Sequence, residues 1–492
     1  KKRILQNLKK DGASIIPLGD LREEEKQQHP DDFIDNKDKE LKGCCKVGQG
    51  VVPGRKDVFK ISKNKDEKDA GGYIIEITEK YLIVVNKKND EKYFLEKALM
   101  RKLAINSDIE KYYLKNSKSY LIYTIPCQIG HEKIEYYSGI KNYLEVYKNE
   151  LTERYDYNED KYPWFGYQRV QNLELFENVD KKILCPYRAI ENSFALDEME
   201  YFGTTDIYAI IPKKESGLDI KYLLGILNSK LLNFWYKEAG KSKGGMFEYF
   251  TTPLSRMPVR NATPDQQKPI IELVDKIINL KKSRHKLLDL WKEWSKKLKN
   301  KEYTLHKILE EDANNLRNGN FDKTWTLNAT FYPNSDNAIL NQEFKKFKVI
   351  GDKEKPIIRI YGLDELNKEE LIYEIKFYKR EIMQHIYFSI IALLGSRKKV
   401  KSLKALFAKT VIPIIQPDAI INTANLIKKV EYELQDLDIV KIDNEIEDIE
   451  AQIDALVFKL YGLEEVDVQT VMDSLNVQGL YMHKVLEYFN NR

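Results

Sequence analysis

From Lys46 to about Pro212 the chain alternates short runs of β-branched and aromatic residues with polar turns. The runs are Val51-Val52, Val58-Phe59-Lys60-Ile61, Tyr73-Ile74-Ile75-Glu76-Ile77, Tyr81-Leu82-Ile83-Val84-Val85, Tyr120-Leu121-Ile122-Tyr123-Thr124-Ile125 and Ile207-Tyr208-Ala209-Ile210-Ile211. Bounded by Gly, Asn-Asp and Lys-rich stretches, they predict strands. From Tyr222 to Tyr236 the apolar residues recur at three and four, which predicts an amphipathic helix packed on the sheet. Pro253, Pro258 and Pro264 punctuate its exit, and a long helix is predicted from about Pro269 to Lys299. Leu287, Trp291, Trp294 and Leu298 on that helix have the alternating spacing of a helix-pairing seam. Ile442, Ile446, Ile449, Ile453, Leu456 and Leu460 form a second seam. The upstream helix is basic and the downstream one acidic, so their flanks attract and the two are expected to pack as a paired spacer. Between them, residues 303 to about 425 read as an α/β insertion, with a strand at Ile357–Tyr361 and a helix from Lys368 to Leu394.

The expected fold class is therefore α+β: a mixed β-rich domain followed by long paired helices and an α/β insertion. Residues 1–35, highly charged with one short amphipathic stretch, read as a connector to an upstream module. The β-rich domain is placed at 36–265, a spacer helix at 266–302, the insertion at 303–425 and a C-terminal helical spacer at 426–492.

At 492 residues the chain is long enough for several packing units. It has no uncharged apolar run of about 18 residues, so nothing is expected to span a membrane. Lys and Arg total 81 against 77 Asp and Glu, a formal charge of +4, and only the distribution is informative. Lys281–Lys301 and Arg397–Lys409 are basic, and Glu431–Asp467 is mostly acidic. Cys44, Cys45, Cys127 and Cys185 form no C-x-x-C pair and no His/Cys cluster at zinc spacing, so neither disulfides nor a metal site is expected, and the reducing cytoplasm is the expected compartment. The first residues, Lys-Lys-Arg-Ile-Leu-Gln-Asn-Leu, lack the apolar core of a signal peptide and read as the middle of a longer protein.

Catalytic patterns are mostly absent. Gly240-Lys241-Ser242 imitates the end of a phosphate-binding loop, but Trp235 stands where the first glycine is needed. There is no G-x-S-x-G elbow, H-E-x-x-H pair or G-x-G-x-x-G turn after a strand. Metal-dependent nucleases place P-D and (D/E)-x-K on strands. Pro30-Asp31 with Glu40-Leu41-Lys42 lies in a stretch too polar for a core strand, and Glu374-Ile375-Lys376 lies inside a helical pattern. His285 and His385 read as helix-surface or packing residues. No catalytic, cofactor-binding or metal-binding residue is assigned.

What remains suits a polyanion: 31 tyrosines, loops mixing Gly with Lys or Arg, and basic helices. The loop Gly240–Met246 is cationic and rich in backbone donors, so Lys241 and Lys243 are candidate phosphate contacts. The turn from Gly48 to Lys56 has the same character. Arginine can bind guanine in a bidentate way and glutamine can bind adenine, which makes Gln49, Arg55, Gln168 and Arg169 candidate base readers, with Lys56 beside them. An ordinary solvated hairpin is the competing reading of each loop.

The order Lys46-Val47-Gly48-Gln49-Gly50, Asp57-Val58-Phe59, Trp164-Phe165-Gly166-Tyr167-Gln168-Arg169 and Lys181-Lys182-Ile183-Leu184-Cys185-Pro186 resembles the TaqI-like C-terminal specificity domain. Phe194-Ala195-Leu196-Asp197, the helix carrying Leu227-Asn228-Ser229-Lys230, Thr251-Thr252-Pro253-Leu254 and the ending Ile453-Asp454-Ala455-Leu456-Val457-Phe458-Lys459-Leu460-Tyr461-Gly462-Leu463 extend the likeness. It covers roughly residues 40–300 and 430–465. That domain follows the catalytic module of type IIG restriction–modification enzymes and related adenine-specific DNA methyltransferases.

The resemblance implies a target recognition domain that reads a short sequence in double-stranded DNA. It also implies an upstream methyltransferase module that flips an adenine and methylates its N6 from S-adenosylmethionine. The Asn-Pro-Pro-Tyr motif and the Gly-rich cofactor loop of that module are absent from this sequence, so the chain alone is not expected to methylate or to hold the cofactor. Whether the parent protein also cleaves DNA stays open, and the insertion is either a second reading head or a docking platform. The alternative from another class is a scaffold protein that binds a protein partner through its paired helices.

Overall fold

A computed structural model of the chain describes residues 1–10, 15–20, 43–296, 303–329, 338–364, 368–396, 399–414, 438–477 and 479–491. Most of the expected connector, both members of the Pro30-Asp31 and Glu40-Leu41-Lys42 pair, Leu298, Arg397 and the start of the acidic run at Glu431 lie outside the described residues, as does the side chain of Trp294. The chain divides into two compact units, Lys1–Val274 and Asp275–Arg492, and the division falls within the helix Pro264–Ser295.

The first unit is built on two six-stranded sheets. One runs in the spatial order Lys92–Glu96, Tyr81–Asn86, Gly72–Ile77, Lys60–Ser62, Ser119–Ile122 and Met100–Leu103. The other runs Cys45–Gln49, Ile207–Pro212, Lys182–Pro186, Ala195–Asp197, Tyr112–Leu114 and Ile109–Glu110. Each sheet is antiparallel except at one pairing, Lys60–Ser62 with Gly72–Ile77 in the first and Ala195–Asp197 with Tyr112–Leu114 in the second. Phe59, Leu82, Leu121, Tyr143, Tyr167, Leu184 and Ala209 belong to one continuous buried core that takes side chains from both. Two expected strands are shorter than their apolar runs. Lys56–Phe59 is a helical turn before the strand Lys60–Ser62, and Pro126 turns the end of the Tyr120–Ile125 run into the short helix Ile125–Gln128.

The helix expected over Tyr222–Tyr236 is two helices, Ile220–Asn228 and Lys230–Ala239. Ser229, extended at ψ 157°, accepts from the Leu232 N–H and caps the second helix. The break frees Asn228 to bond as a strand would. Its Oδ1 accepts from the Phe194 N–H at 2.9 Å and its Nδ2 donates to the Phe194 carbonyl at 2.9 Å. Asn192 braces the same joint by donating to the Leu227 carbonyl at 2.9 Å. The Asn-Ser of the family-like Leu-Asn-Ser-Lys motif is thus a scaffold device.

In the second unit, Lys346–Gly351, Ile357–Leu363 and Glu369–Lys376 form an antiparallel sheet in chain order. The helix expected from Lys368 is corrected here: Glu369–Lys376 is a strand, and the helix runs over Arg380–Leu394. Glu374 and Lys376 consequently share one face of an edge strand. Glu374 is tied to Arg359 at 3.0 Å and to Lys376 at 3.4 Å, and Arg359 also binds Asp352 at 3.0 Å. A guanidinium thus bridges the two carboxylates. Among the described residues no group of three or more His, Cys, Asp or Glu side chains is placed to hold a metal ion.

The charge complementarity of the two long helices is realised. Arg284 binds Asp443, and Lys281 lies 3.9 Å from Glu450, an antiparallel register. On the upstream helix, Trp291 stacks on Phe388 of the helix Arg380–Leu394 at 6.1 Å. Of the second seam, Ile442, Ile446, Ile449 and Ile453 are buried and Leu456 and Leu460 half-buried, and Tyr481 and Tyr488 of the last helix, Leu480–Asn491, donate to Asp454 and Asp448 of the same acidic helix. Among the described residues no helix is long and apolar enough to cross a membrane.

Two outcomes follow from these joints. Asn228→Ala leaves the Phe194 amide buried without a partner and its carbonyl with the Tyr112 N–H alone, and should lower unfolding stability by about 2 kcal/mol, read from the urea midpoint. The second concerns His385, whose side chain is fully buried and whose imidazole burial pushes down to about 4. An exposed histidine titrates near 6.5, so the neutral ring's contribution is complete above about pH 6.5 and is lost as pH falls toward 4, by about 3 kcal/mol. Asp312, pushed up to about 6 by burial, acts oppositely, stabilising as pH falls through 6. The histidine effect is therefore the difference between wild type and His385→Met. Urea titrations at about pH 7.5 and about pH 4.5 should show wild type losing more stability than the variant, and parallel losses would refute it.

Candidate nucleic-acid interface

The strand Cys45–Gln49 ends in a turn that the rest of the first unit grips from several sides. Gly50 N–H donates to the Ile207 carbonyl at 2.9 Å and Val51 N–H to the Gly203 carbonyl at 3.1 Å. A Cβ at Gly50 would sit 2.1 Å from the Gly203 oxygen, so only glycine lets the two main chains approach this closely. Gln171 and Asn172 donate to the carbonyls of Gly50 and Gln49 at 3.0 and 2.8 Å. Val52 and Arg169 then form an antiparallel bridge, exchanging N–H···O bonds of 3.1 and 3.0 Å. That bridge brings the turn from Gly48 to Lys56 against the segment Trp164–Arg169, which are distant in sequence.

The Trp164–Arg169 segment is itself anchored in the core. Tyr167 is fully buried, its hydroxyl donates to the Ile122 carbonyl at 2.6 Å, and its ring meets Phe59 edge-on at 5.0 Å. Gln128 bonds both main-chain groups of Tyr167, accepting at 2.7 Å and donating at 2.9 Å. Arg154, buried to 8 % exposure, donates to the carbonyls of Leu151, Pro53, Gly166 and Trp164 at 2.7 to 2.9 Å.

The structure brings Gln49, Arg55, Lys56, Gln168 and Arg169 together on these two loops and treats their side chains differently. Gln49 is half-buried and donates to the Thr205 carbonyl at 2.7 Å. Arg55 grips Asp57 through two bonds of 3.0 and 2.8 Å and holds that carboxyl below its usual range. Lys56 is ion-paired with Asp206, and Gln168 donates to Asp156 at 2.6 Å. Arg169 is exposed, and among the described residues its side chain has no bonding partner.

Lys241 and Lys243 lie on a small hairpin, Ser242–Lys243 paired with Met246–Glu248, that turns through Gly244 and Gly245 at φ +60° and +75°. Both lysines are exposed, with the Lys241 Nζ 4.4 Å over the Phe250 ring. The hairpin continues into Arg188–Ala189, and Arg188 binds Glu248 across it at 3.0 Å. A chain of contacts connects it to the first two loops: Lys56 pairs with Asp206, the Asp206 carbonyl accepts from the Tyr187 N–H at 2.7 Å, and Tyr187 meets Phe250 at 5.3 Å. The expected phosphate and base contacts therefore belong to one connected surface. A separate cleft of about 490 Å³ is walled partly by Arg101, Lys102, Glu177 and Glu200, whose charges balance and select no anion.

Arg154, Gln128 and Asn172, which hold this surface in shape, were not among the expected residues. Their partners are main-chain groups, and no spacing or composition signal marks such a role.

Over part of its length the chain is similar to proteins of restriction–modification systems. Residues 68–259 match the family model of the TaqI-like C-terminal specificity domain. Type II methyltransferase M.HindII of Haemophilus influenzae is 32% identical over 133 residues, 26% of this chain and 25% of that protein. Type II methyltransferase M.MjaIV of Methanocaldococcus jannaschii is 26% identical over 251 residues, 50% of this chain and 74% of that protein. The match thus spans about a quarter of the Haemophilus relative. Among solved structures, the type IIL restriction–modification enzyme MmeI in complex with DNA aligns at TM-score 0.32 and 12% identity, over 48% of this chain and 28% of that one. The type I restriction–modification S subunit from M. genitalium aligns at TM-score 0.24 and 14% identity, over 60% of this chain and 86% of that one. The family that the motifs from Lys46 to Leu254 resemble is thus the one whose model matches residues 68–259, the TaqI-like C-terminal specificity domain.

Proposed function

We propose that the first unit reads a short sequence in double-stranded DNA as the target recognition domain of a restriction–modification methyltransferase. It presents an adenine for N6 methylation by a methyltransferase module that also holds S-adenosylmethionine. The observation that carries the reading is the bridge between Val52 and Arg169, which joins two irregular loops and leaves an exposed arginine without an internal partner, while contacts through Asp206, Tyr187 and Phe250 link the same loops to an exposed dilysine hairpin. A free guanidinium on a fixed main chain suits bidentate reading of guanine, and lysines on a Gly-rich turn suit phosphates. Gln49, Arg55, Lys56 and Gln168 surround it as contacts that must exchange an internal partner for DNA. The specificity-domain match over residues 68–259 and the methyltransferase relatives support the same reading. The scaffold alternative draws less support, because Arg284 and Lys281 of the long helix already have acidic partners within the chain.

The test is to incubate the purified chain with a randomised duplex pool at moderate salt and sequence what is retained. Enrichment of one short motif is expected, and retention without enrichment would overturn sequence reading by this chain. Within an enriched motif, Arg169→Ala should relax preference at one position at a cost of about 1–3 kcal/mol. Uniformly weaker binding with unchanged preference would make it a phosphate contact. Lys241→Gln and Lys243→Gln should lower affinity evenly across sequences and flatten the slope of log affinity against log salt by about one each.

A further inference from the structure

We infer that Arg154 is a positioning residue for target reading: its buried guanidinium fixes the turn Gln49–Lys56 and the segment Trp164–Arg169 to one another, so sequence preference depends on it while general attraction to DNA does not. This rests on the proposed reading of duplex DNA.

The geometry is specific to arginine. Nη1 donates to both Pro53 and Gly166, at 2.9 and 2.8 Å, so a single nitrogen joins the two loops. Nη2 adds Trp164 at 2.9 Å and Nε adds Leu151 at 2.7 Å. Only a planar fork with donors on three nitrogens spans these carbonyls, and a lysine ammonium at the same place reaches one or two of them. The Tyr157 and Tyr162 rings flank the guanidinium, their centroids 5.9 and 5.2 Å away. From the loop side, Gly54 adopts φ +79°, and a Cβ there would lie 2.9 Å from the Arg154 Cδ. The turn and the arginine are therefore fitted to each other.

The charge is also used unusually. Among the described residues Arg154 forms no ion pair, and Asp156 accepts instead from Gln168 at 2.6 Å. Burying a cation on neutral carbonyls and ring faces with no counterion is unfavourable unless the carbonyls are all well placed, which makes the arrangement all-or-none. Removing one carbonyl by moving either loop exposes the cation to an unsatisfied site. The loops consequently move together or not at all, and Arg169 inherits a fixed origin through its bridge to Val52. Arg154 itself is buried beneath that surface and has no route to a phosphate, so it releases no counterion on binding.

The experiment compares the full chain, Arg154→Lys and Gly54→Ala on the motif selected from the duplex pool and on a scrambled duplex, each across a salt series. Hydrogen exchange of residues 50–56, 164–169 and the strand Tyr81–Asn86 is measured in parallel. Arg154→Lys should lower the ratio of motif to scrambled affinity by roughly ten- to hundred-fold, the size of losing one or two base contacts. The salt slope should stay at the wild-type value, and exchange should quicken in both loops together while the strand stays protected. If Arg154→Lys loses protection in the strand as well, Gly54→Ala carries the test, since it disturbs the same contact with the guanidinium retained, and the same loss of ratio is expected. A wild-type ratio in a folded variant overturns the inference, and so does a slope flattened by about one, which would make Arg154 a phosphate contact. A wild-type chain with no motif preference overturns the reading of DNA and this inference together.

Discussion

A buried peptide group must find a hydrogen-bond partner, and in the Lys1–Val274 unit many of them find it in a side chain. The two sheets satisfy their own ladders. The segments between strands include stretches outside helix and sheet, whose peptide groups have no such ladder. Gln128 closes both main-chain groups of Tyr167, Asn228 closes both of Phe194, and Asn172 closes Gln49. These amide side chains act as one-residue strands. The irregular backbone is consequently held by paired polar groups, as the sheets beside it are.

Two buried cations in this unit illustrate two solutions to the same problem. Lys182 and Asp197, each with a fully buried side chain, neutralise one another at 2.9 Å in the second sheet, and Asp197 also accepts from the Met199 and Tyr201 amides. Arg154 has no such counterion and is held by carbonyl dipoles from three stretches of chain. A carboxylate would have satisfied the charge with one neighbour, whereas carbonyls satisfy it only by assembling several segments. The difference separates a local ion pair from an organising centre.

Much of this was legible in the sequence. The alternating runs Tyr73–Ile77, Tyr81–Val85 and Ile207–Ile211 are strands, and the opposite charges of the two long helices meet as ion pairs. What was hidden has physical causes. Leu371, Ile372 and Ile375 fit a helical stripe as well as a strand, so the period alone joined Glu369–Lys376 to the following helix. Apolar residues continue in register across Ser229, so one capping serine breaks a helix that periodicity reads as continuous. Arg169 and the lysines of the hairpin stood out as candidates because cations in loops that contain glycine are a compositional signal. Arg154 was invisible because it answers to carbonyls, which every residue carries.

The bridge between Val52 and Arg169 separates the shape of the loop from the identity of its side chain. Position 169 is held by main-chain bonds alone, and its exposed side chain contributes nothing to the core. Substitutions at such a site usually change stability by less than about 0.5 kcal/mol. The side chain there can therefore change by drift, one residue at a time, on a fold that never passes through an unstable intermediate.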